Sequence, residues 1–307
     1  MELFDQISRN KISRVFRAKR KLNIPGLVSH ITQRAAGKEP LFLEVPDYLY
    51  MLVLLKEISR QHAITIYAFC LMENHIHLLL SSEEENLYDA MRDLFSRYAM
   101  WFNKKYERKG HLFGGPYRQA VCLDDGYLVA ASVYIHLNPV KAGLASVAEE
   151  YRWSSVRLYC EEDAPESLVD PCFILNILSG KGDNGRQIYR NLLNRGVNIE
   201  TKQVFEQEDV IERFRSRLVS LLPSMFKRMG RENHAGKTAG MNLLSMEALE
   251  ERIKNLKDAP FTNEPETRLA KKYLIEQLIS RGYKKGEIAA RLGVSRKTVY
   301  NILHAPT

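Results

Sequence analysis

Two hydrophobic periods run along the first 160 residues, and the switches between them mark the elements. After the turn signal Asn23-Ile-Pro-Gly26, Leu27 to Gln33 reads as a strand. Gly37-Lys-Glu-Pro40 punctuates, and an apolar helical run follows from Asp47 to about Arg60, with Asp47 in the N-cap place. Ala63 to Leu71 is rich in β-branched and aromatic residues and predicts a strand. Met72-Glu-Asn74 is a tight turn, from which His75 to Ser81 returns as a second strand. From Asn86 to about Tyr106, Leu87, Met91, Leu94, Phe95, Tyr98 and Phe102 recur near helical spacing. Tyr117 to Leu123 is a further strand, and Asp124/Asp125 cap a helix running to Leu137. Strand, helix, strand, strand, helix, strand is the split βαβ, or ferredoxin-like, α+β arrangement, followed here by one extra helix. That arrangement hosts many functions and decides none.

Past Trp153 the texture changes. Residues 161–183 hold Glu161-Glu-Asp163, Pro165, Pro171 and a Gly180-Lys-Gly-Asp183 loop, a natural boundary. Gln187 to about Lys254 reads as helical but irregular, broken by a polar stretch over Gly230–Gly240, and no internal repeat is present. From Glu266 the pattern sharpens: Leu269, Tyr273, Leu274, Leu278 and Ile279 form one helical stripe that Gly282 ends. Glu287 to Leu292 is a short helix, Gly293-Val294 a turn, and Ser295 an N-cap for Arg296 to Leu303. With Ala289, Leu292, Val294, Val299 and Ile302 at core positions, this reads as a helix-turn-helix whose second helix enters the major groove of duplex DNA. Arg296, Lys297, Thr298 and Asn301 then stand where base or phosphate contacts are made. Four segments result: a basic N-terminal arm over 1–23, an α+β unit over 24–160, a helical region of unassigned role over 161–265, and the helix-turn-helix over 266–307.

Charge sharpens the choice of partner. The chain carries a formal +8, concentrated at its ends. Residues 1–21 hold seven Lys/Arg against Glu2 and Asp5, and residues 267–304 hold nine against Glu276 and Glu287. Charge runs are usually solvated helix faces, but two basic ends around a near-neutral middle suit a polyanion. The four cysteines show no CxxC spacing, which points to a reducing compartment without disulfides or a zinc knuckle. No stretch approaches the ~20 apolar residues of a membrane span, and no apolar leader precedes the charged start. A cytoplasmic protein, with no membrane partner, is the expectation.

His75-Ile76-His77 carries the first candidate chemistry. On a strand the two imidazoles project from one face, ~7 Å apart, while Ile76, Leu78 and Leu80 project from the other. Such a pair can grip one metal ion, although an isolated His-x-His is more often incidental. A second group, Tyr134-Ile-His-Leu-Asn-Pro139, places Tyr134 and Asn138 four apart on one helix face. Pro139 disfavours helical geometry at Asn138 and so predicts that the pair lies in the last turn. A helix tyrosine packed in the core and an asparagine capping before proline are the ordinary alternatives, and spacing alone does not separate them.

Asn74-His-Ile-His-Leu-Leu79, Tyr134-Ile-His-Leu-Asn-Pro-Val-Lys-Ala-Gly-Leu144 and Trp153-Ser-Ser155 together resemble the REP-associated tyrosine transposases, a bacterial branch of the HUH single-tyrosine transposases. The resemblance covers about residues 24–158. It implies that His75 and His77 bind Mg²⁺ or Mn²⁺, that Asn138 is the third ligand, and that Tyr134 is the nucleophile. It further implies that Arg34 and Arg118 face DNA, that the substrate is single-stranded or hairpin DNA, and that cleavage passes through a 5′-phosphotyrosine. Glu73 stands where a proline often precedes the Asn-His pair, and His111-Leu-Phe-Gly-Gly-Pro116 departs from the usual Trp-Gln pattern. Trp101, Phe113 and Tyr117 offer stacking surfaces for bases, with core packing the commoner use of Trp101. One tyrosine per chain makes two strand transfers a task for two active sites, hence a homodimer is attractive. His136, at i+2 from Tyr134, faces elsewhere and receives no catalytic role. A protein working on DNA belongs at the bacterial nucleoid. Three competing readings remain: a domesticated, non-cleaving DNA-binding regulator, a metal-dependent nuclease without a tyrosine adduct, and an RNA-binding sheet, the last weakened by the lack of an RNP-type aromatic pair.

Overall fold

The computed structural model describes residues 21–37, 39–122, 124–163, 167–179, 184–199, 210–232, 234–235, 246–258, 265–280, 283 and 285–303. The basic stretch 1–20, the Gly180–Asp183 loop, Gly282 and most of the Gly230–Gly240 stretch lie outside these residues. The chain divides into two compact units that meet at residues 240 and 241.

In the larger unit the elements are β1 (Ser29–Arg34), α1 (Val45–Gln61), β2 (Ile64–Met72), β3 (His75–Ser82), α2 (Leu87–Lys105), β4 (Arg118–Val121) and α3 (Asp125–Lys141). The sheet order is β2-β3-β1-β4, with every pairing antiparallel. Element order and strand order together are those of the expected ferredoxin-like arrangement. Period-2 alternation sends Ile31, Ile76, Leu78 and Leu80 to one face, which α1 and α2 cover. The helix α3 lies on the other face, packed on β2 and β3. Behind it come α4 (Val156–Cys160), α5 (Cys172–Ser179), α6 (Gly185–Val197), α7 (Val210–Leu221) and α8 (Pro223–Glu232), of which α6, α7 and α8 pack directly on α3.

Two helix ends differ from the sequence expectation. Asp47 is not the N-cap of α1; Glu44 is, and Pro46 sits in the first turn, where its missing N–H costs nothing. Asp47 occupies the third helical position and its Oδ2 accepts from the backbone N of Leu43 (2.7 Å) and of Glu44 (3.0 Å), the reaching-back half of a capping box. Its other oxygen accepts from Lys105 Nζ at 2.6 Å. The helix α3 begins as expected, with Asp124 accepting from Tyr127 N at 2.8 Å, but it does not stop at Leu137. It runs through Pro139 to Lys141 and ends in a Schellman motif: Gly143, at φ +73°, donates to Val140 O (3.0 Å) and Leu144 to Pro139 O (2.8 Å). Gly143, not Pro139, ends the helix.

The smaller unit contains α9 (Met246–Asp258), α10 (Pro265–Ser280), α11 (Lys285–Leu292) and α12 (Arg296–Leu303). Leu249 and Ile253 of α9 share one core with Leu274 and Leu278 of α10 and with Leu292, Val299 and Ile302. Gly293 takes φ +66° in the turn, and Ser295 Oγ accepts from Thr298 N at 3.0 Å, which is the predicted cap. Residues 161–265 are thus shared: their first helices lie in the larger unit, and α9 joins the helix-turn-helix core. No helix among the described residues is long and apolar enough to cross a membrane.

Candidate active site

Strand register builds the site row by row. On the sheet face turned to α3, Met72, His75 and Arg34 form one row of Cα partners, and Cys70, His77, Thr32 and Arg118 form the next. Leu79, His30 and Ala120 form a third. Two histidines spaced i, i+2 on β3 thereby meet Arg34, Thr32 and His30 spaced i, i+2 on β1. The end of β1 is held by the segment that departs from the family pattern: Gly114 N donates to Arg34 O at 3.1 Å. A Cβ at Gly114 would stand 3.0 Å from Ala35 O, so the backbone approach favours glycine there.

The imidazoles are oriented from behind. His75 Nδ1 lies 2.7 Å from Asn74 Oδ1, an acceptor, so Nδ1 carries the proton and Nε2 the lone pair. His77 Nδ1 lies 2.9 Å from His30 Nε2 and 3.3 Å from Thr32 Oγ1. His77 Nε2 is buried and has no hydrogen-bond partner. Burial holds His75 down to about 3, with the charges of Arg34 and His30 adding to it. Burial, then His75, His30 and Arg34, hold His77 well below the usual histidine value. Both are neutral at physiological pH, the form in which imidazole binds a metal. Among the described residues no three His, Cys, Asp or Glu side chains are grouped to hold an ion. His30, the third imidazole, meets His77 at Nδ1, behind the ligand nitrogen, as a supporting partner does. Two neutral imidazole nitrogens with an amide oxygen or phosphate oxygen to complete the set are a donor group that fits a divalent cation.

Tyr134 comes to this face from α3. Its ring stands edge-on to His77 with centroids 6.2 Å apart and an interplanar angle of 88°. Burial pushes the phenol upward and the Arg34 guanidinium opposes that shift, which places Arg34 within electrostatic reach of the tyrosine as well as of both histidines. Asn138 is also buried, one turn along, and its Nδ2 donates to Tyr134 O at 2.8 Å. The amide is therefore packed within its helix rather than released by the proline. His136 is turned away, as expected. Its Nδ1 meets Tyr189 OH (2.7 Å) and its Nε2 meets Ser155 Oγ (2.8 Å), which gives the second serine of Trp153-Ser-Ser155 a structural role.

The remaining candidates separate. Arg118 is exposed on the site face, in line with Thr32 and His77. Trp101 is stacked on Tyr50 at 4.2 Å and belongs to the layer of α1 and α2. Tyr117 is buried beside Phe95 and beneath Lys21, whose Nζ lies 4.5 Å from the ring centroid, so its ring is closed to a base. Phe113 packs edge-on to Phe95 at 5.4 Å. In the smaller unit Arg296, Lys297 and Asn301 are exposed, whereas Thr298 is half-buried, its Oγ1 2.8 Å from Ser295 Oγ. Tyr300, 46% exposed on the same helix, had no part in the sequence expectation. Neither had His30, Thr32, Lys141 and Phe214. The i, i+2 spacing of His30 and Thr32 to Arg34 puts them on one strand face, but nothing local says which strand lies beside it.

Parts of the chain are similar to known proteins. The family described as "Transposase IS200 like" matches residues 16–138, and a homeodomain-like domain matches residues 266–306. No curated protein matches the chain. Among solved structures, a REP-associated tyrosine transposase bound to a REP hairpin is similar at a TM-score of 0.42 and 14% identity, covering 50% of this chain and 93% of that one. Residues 16–138, the stretch that includes the two histidines, Tyr134 and Asn138, are thus similar to the IS200-like transposases.

Proposed function

We propose that this chain is a transposase, a metal-dependent, single-stranded DNA endonuclease and strand transferase that cuts hairpin or repeat DNA through a 5′-phosphotyrosine on Tyr134. The observation that carries the reading is Tyr134 edge-on to His77 on a face where Arg34 adds positive charge and His77 Nε2 is buried without a partner. His75 and His77, with Asn138 as third ligand, would hold Mg²⁺ or Mn²⁺. A divalent cation bound there supplies charge neutralisation at the scissile phosphate and Lewis-acid polarisation of its phosphorus. Arg34 draws the phosphodiester to the same face and partly offsets the burial that holds Tyr134 as a phenol. The Tyr134 oxygen forms the new bond to phosphorus, the bond to the 3′ oxygen breaks, and the proton lost by the phenol is balanced by one gained on that oxygen. Bond energy is retained in the phosphotyrosine, so a second 3′-hydroxyl can reverse the step and join strands. Arg118 continues the positive track across the sheet edge. The helix-turn-helix over 266–307 would present Arg296, Lys297 and Asn301, with Thr298 serving mainly as part of its cap, to duplex DNA as a separate reader. Paired strand transfers call for two chains on one DNA, and the reaction belongs at the bacterial nucleoid in the cytoplasm.

The test is an adduct assay with hairpin oligonucleotides bearing a single-stranded flank, in Mn²⁺, resolved on a denaturing gel. Wild-type protein is expected to give a covalent protein–DNA species and Tyr134→Phe none. If neither gives one and both bind DNA alike, the chain is a non-cleaving reader. Cleavage without a phosphotyrosine would make it a simple nuclease.

A further inference from the structure

Every residue of α3 from Asp125 to Pro139 is buried, which is unusual for a helix bearing a residue that must meet DNA. The cover comes from the helices that follow the α+β unit. At its N-terminal end, Asp125 is 0% exposed, and its two oxygens accept from the backbone N of His234 (2.8 Å) and of Ala235 (2.7 Å). Beside it Arg215 Nη1 lies 3.3 Å from Asp124 Oδ2. In the middle, Phe214 meets Tyr134 edge-on at 5.8 Å, on the ring that also meets His77. Gly196 lets α6 close on Leu137 of α3 and on Phe214: a Cβ there would fall 2.6 Å from Leu137 Cδ1 and 3.0 Å from Phe214 Cζ. At the C-terminal end, Lys141 Nζ donates to Ile199 O (3.2 Å) and lies 4.5 Å from the Phe214 centroid.

We infer that α6, α7 and α8, with His234 and Ala235, are a clamp that fixes Tyr134 above the histidines of its own chain, with Phe214 as the positioning residue. The inference rests on Tyr134 being the nucleophile. A phenol must approach phosphorus within a few tenths of an ångström of the productive geometry. Held at both ends and in the middle, α3 cannot deliver its tyrosine to a second molecule without unpacking three helices. The reaction centre is therefore complete in cis, and two chains on one DNA bring two whole centres.

Two measurements on the full chain decide this. In the first, His75→Ala/His77→Ala protein is mixed with Tyr134→Phe protein and hairpin DNA in Mn²⁺, with wild type as control. No adduct is expected from the mixture. An adduct at about a quarter of the wild-type yield or more would show tyrosines serving another chain's histidines and overturn the clamp. Phe214→Leu, which keeps the core filled, is expected to slow adduct formation by ~10–100-fold at unchanged DNA affinity, and Phe214→Tyr to restore most of it. An unchanged rate in Phe214→Leu counts against the positioning role. The second measurement needs no DNA chemistry: hydrogen exchange of the amides over 128–138. They should be protected as strongly as β3 and exchange at least ~10-fold faster in Phe214→Leu. Fast exchange in wild type overturns the clamp whatever the adduct assay gives. If wild type forms no adduct yet the exchange result holds, the nucleophile assignment fails and the clamp stands as the architecture of the helix.

Discussion

His77 is held from one side and open on the other. Its Nδ1 is engaged by His30 and Thr32, and its Nε2 has no hydrogen-bond partner among the described residues. A supporting partner of this kind fixes ring orientation and raises ligand basicity, so His30→Ala should weaken Mn²⁺ binding by ~10–100-fold. Isothermal titration of the metal without DNA measures it, and an unchanged affinity would remove His30 from the site. The buried imidazoles also set a pH dependence. Burial lowers His30 to about 4 and His136 to about 3, against ~6.5 in an unfolded chain. Between these values the unfolded chain takes up protons that the folded chain refuses. Stability is therefore full above ~6.5 and falls toward pH 4, by up to ~1.4 kcal/mol per pH unit for each histidine. Urea midpoints at pH 7, 6 and 5 follow the loss; a flat profile would mean that these imidazoles are solvated.

The strands and helices of the α+β unit were legible wherever the period was clean. Alternation in Ile64–Met72 and His75–Ser82 and the apolar stripe of Leu87–Lys105 each predicted their element to within two residues. The ends were less legible, because local signals compete. Pro139 looked like a stop, yet a proline late in a helix forfeits one hydrogen bond, while Gly143 supplies the left-handed residue that ends it. Asp47 looked like a cap, yet Pro46 fits the first turn and moves the cap back to Glu44. The misassigned carboxylate is an anchor: Asp47→Ala removes an acceptor from Leu43 N, Glu44 N, Lys105 Nζ and Tyr106 OH, the last two keeping only Glu44 Oε1. It should cost ~2–4 kcal/mol in urea denaturation; a loss under ~1 kcal/mol would mean that water replaces the carboxylate. In the other unit Ser295→Ala removes a cap worth ~1 kcal/mol, which a lower melting temperature of the full chain would report. The site histidines were legible as a pair on one strand face. Their partners on β1 were not, because no local period says that β1 lies beside β3. Phe214 reaches Tyr134 only through the packing of α7 on α3, and no spacing in the sequence encodes that contact.

At the scale of the whole molecule, two units divide the work that the charge pattern foreshadowed. The larger holds the candidate site, and the smaller, homeodomain-like over 266–306, offers an exposed basic helix face. Lys297→Ala in the full chain should weaken duplex binding evenly across sequences and lower the salt slope by ~1, leaving adduct formation on a short hairpin unchanged. Filter binding over a salt series tests the first part and the adduct gel the second; a sequence-selective loss would move Lys297 from phosphate to base contact.

The wholly buried α3 also has a consequence for synthesis. Its outer face, including Val133 and Leu137, is apolar and is covered largely by α6, α7 and α8 among the described residues, which the ribosome delivers later. Until residue 235 has emerged, the nascent chain carries a finished sheet and an unsheltered, greasy helix, a state prone to association. If the site cuts DNA as proposed, a message broken before that point is expected to yield insoluble protein instead of a partial nuclease.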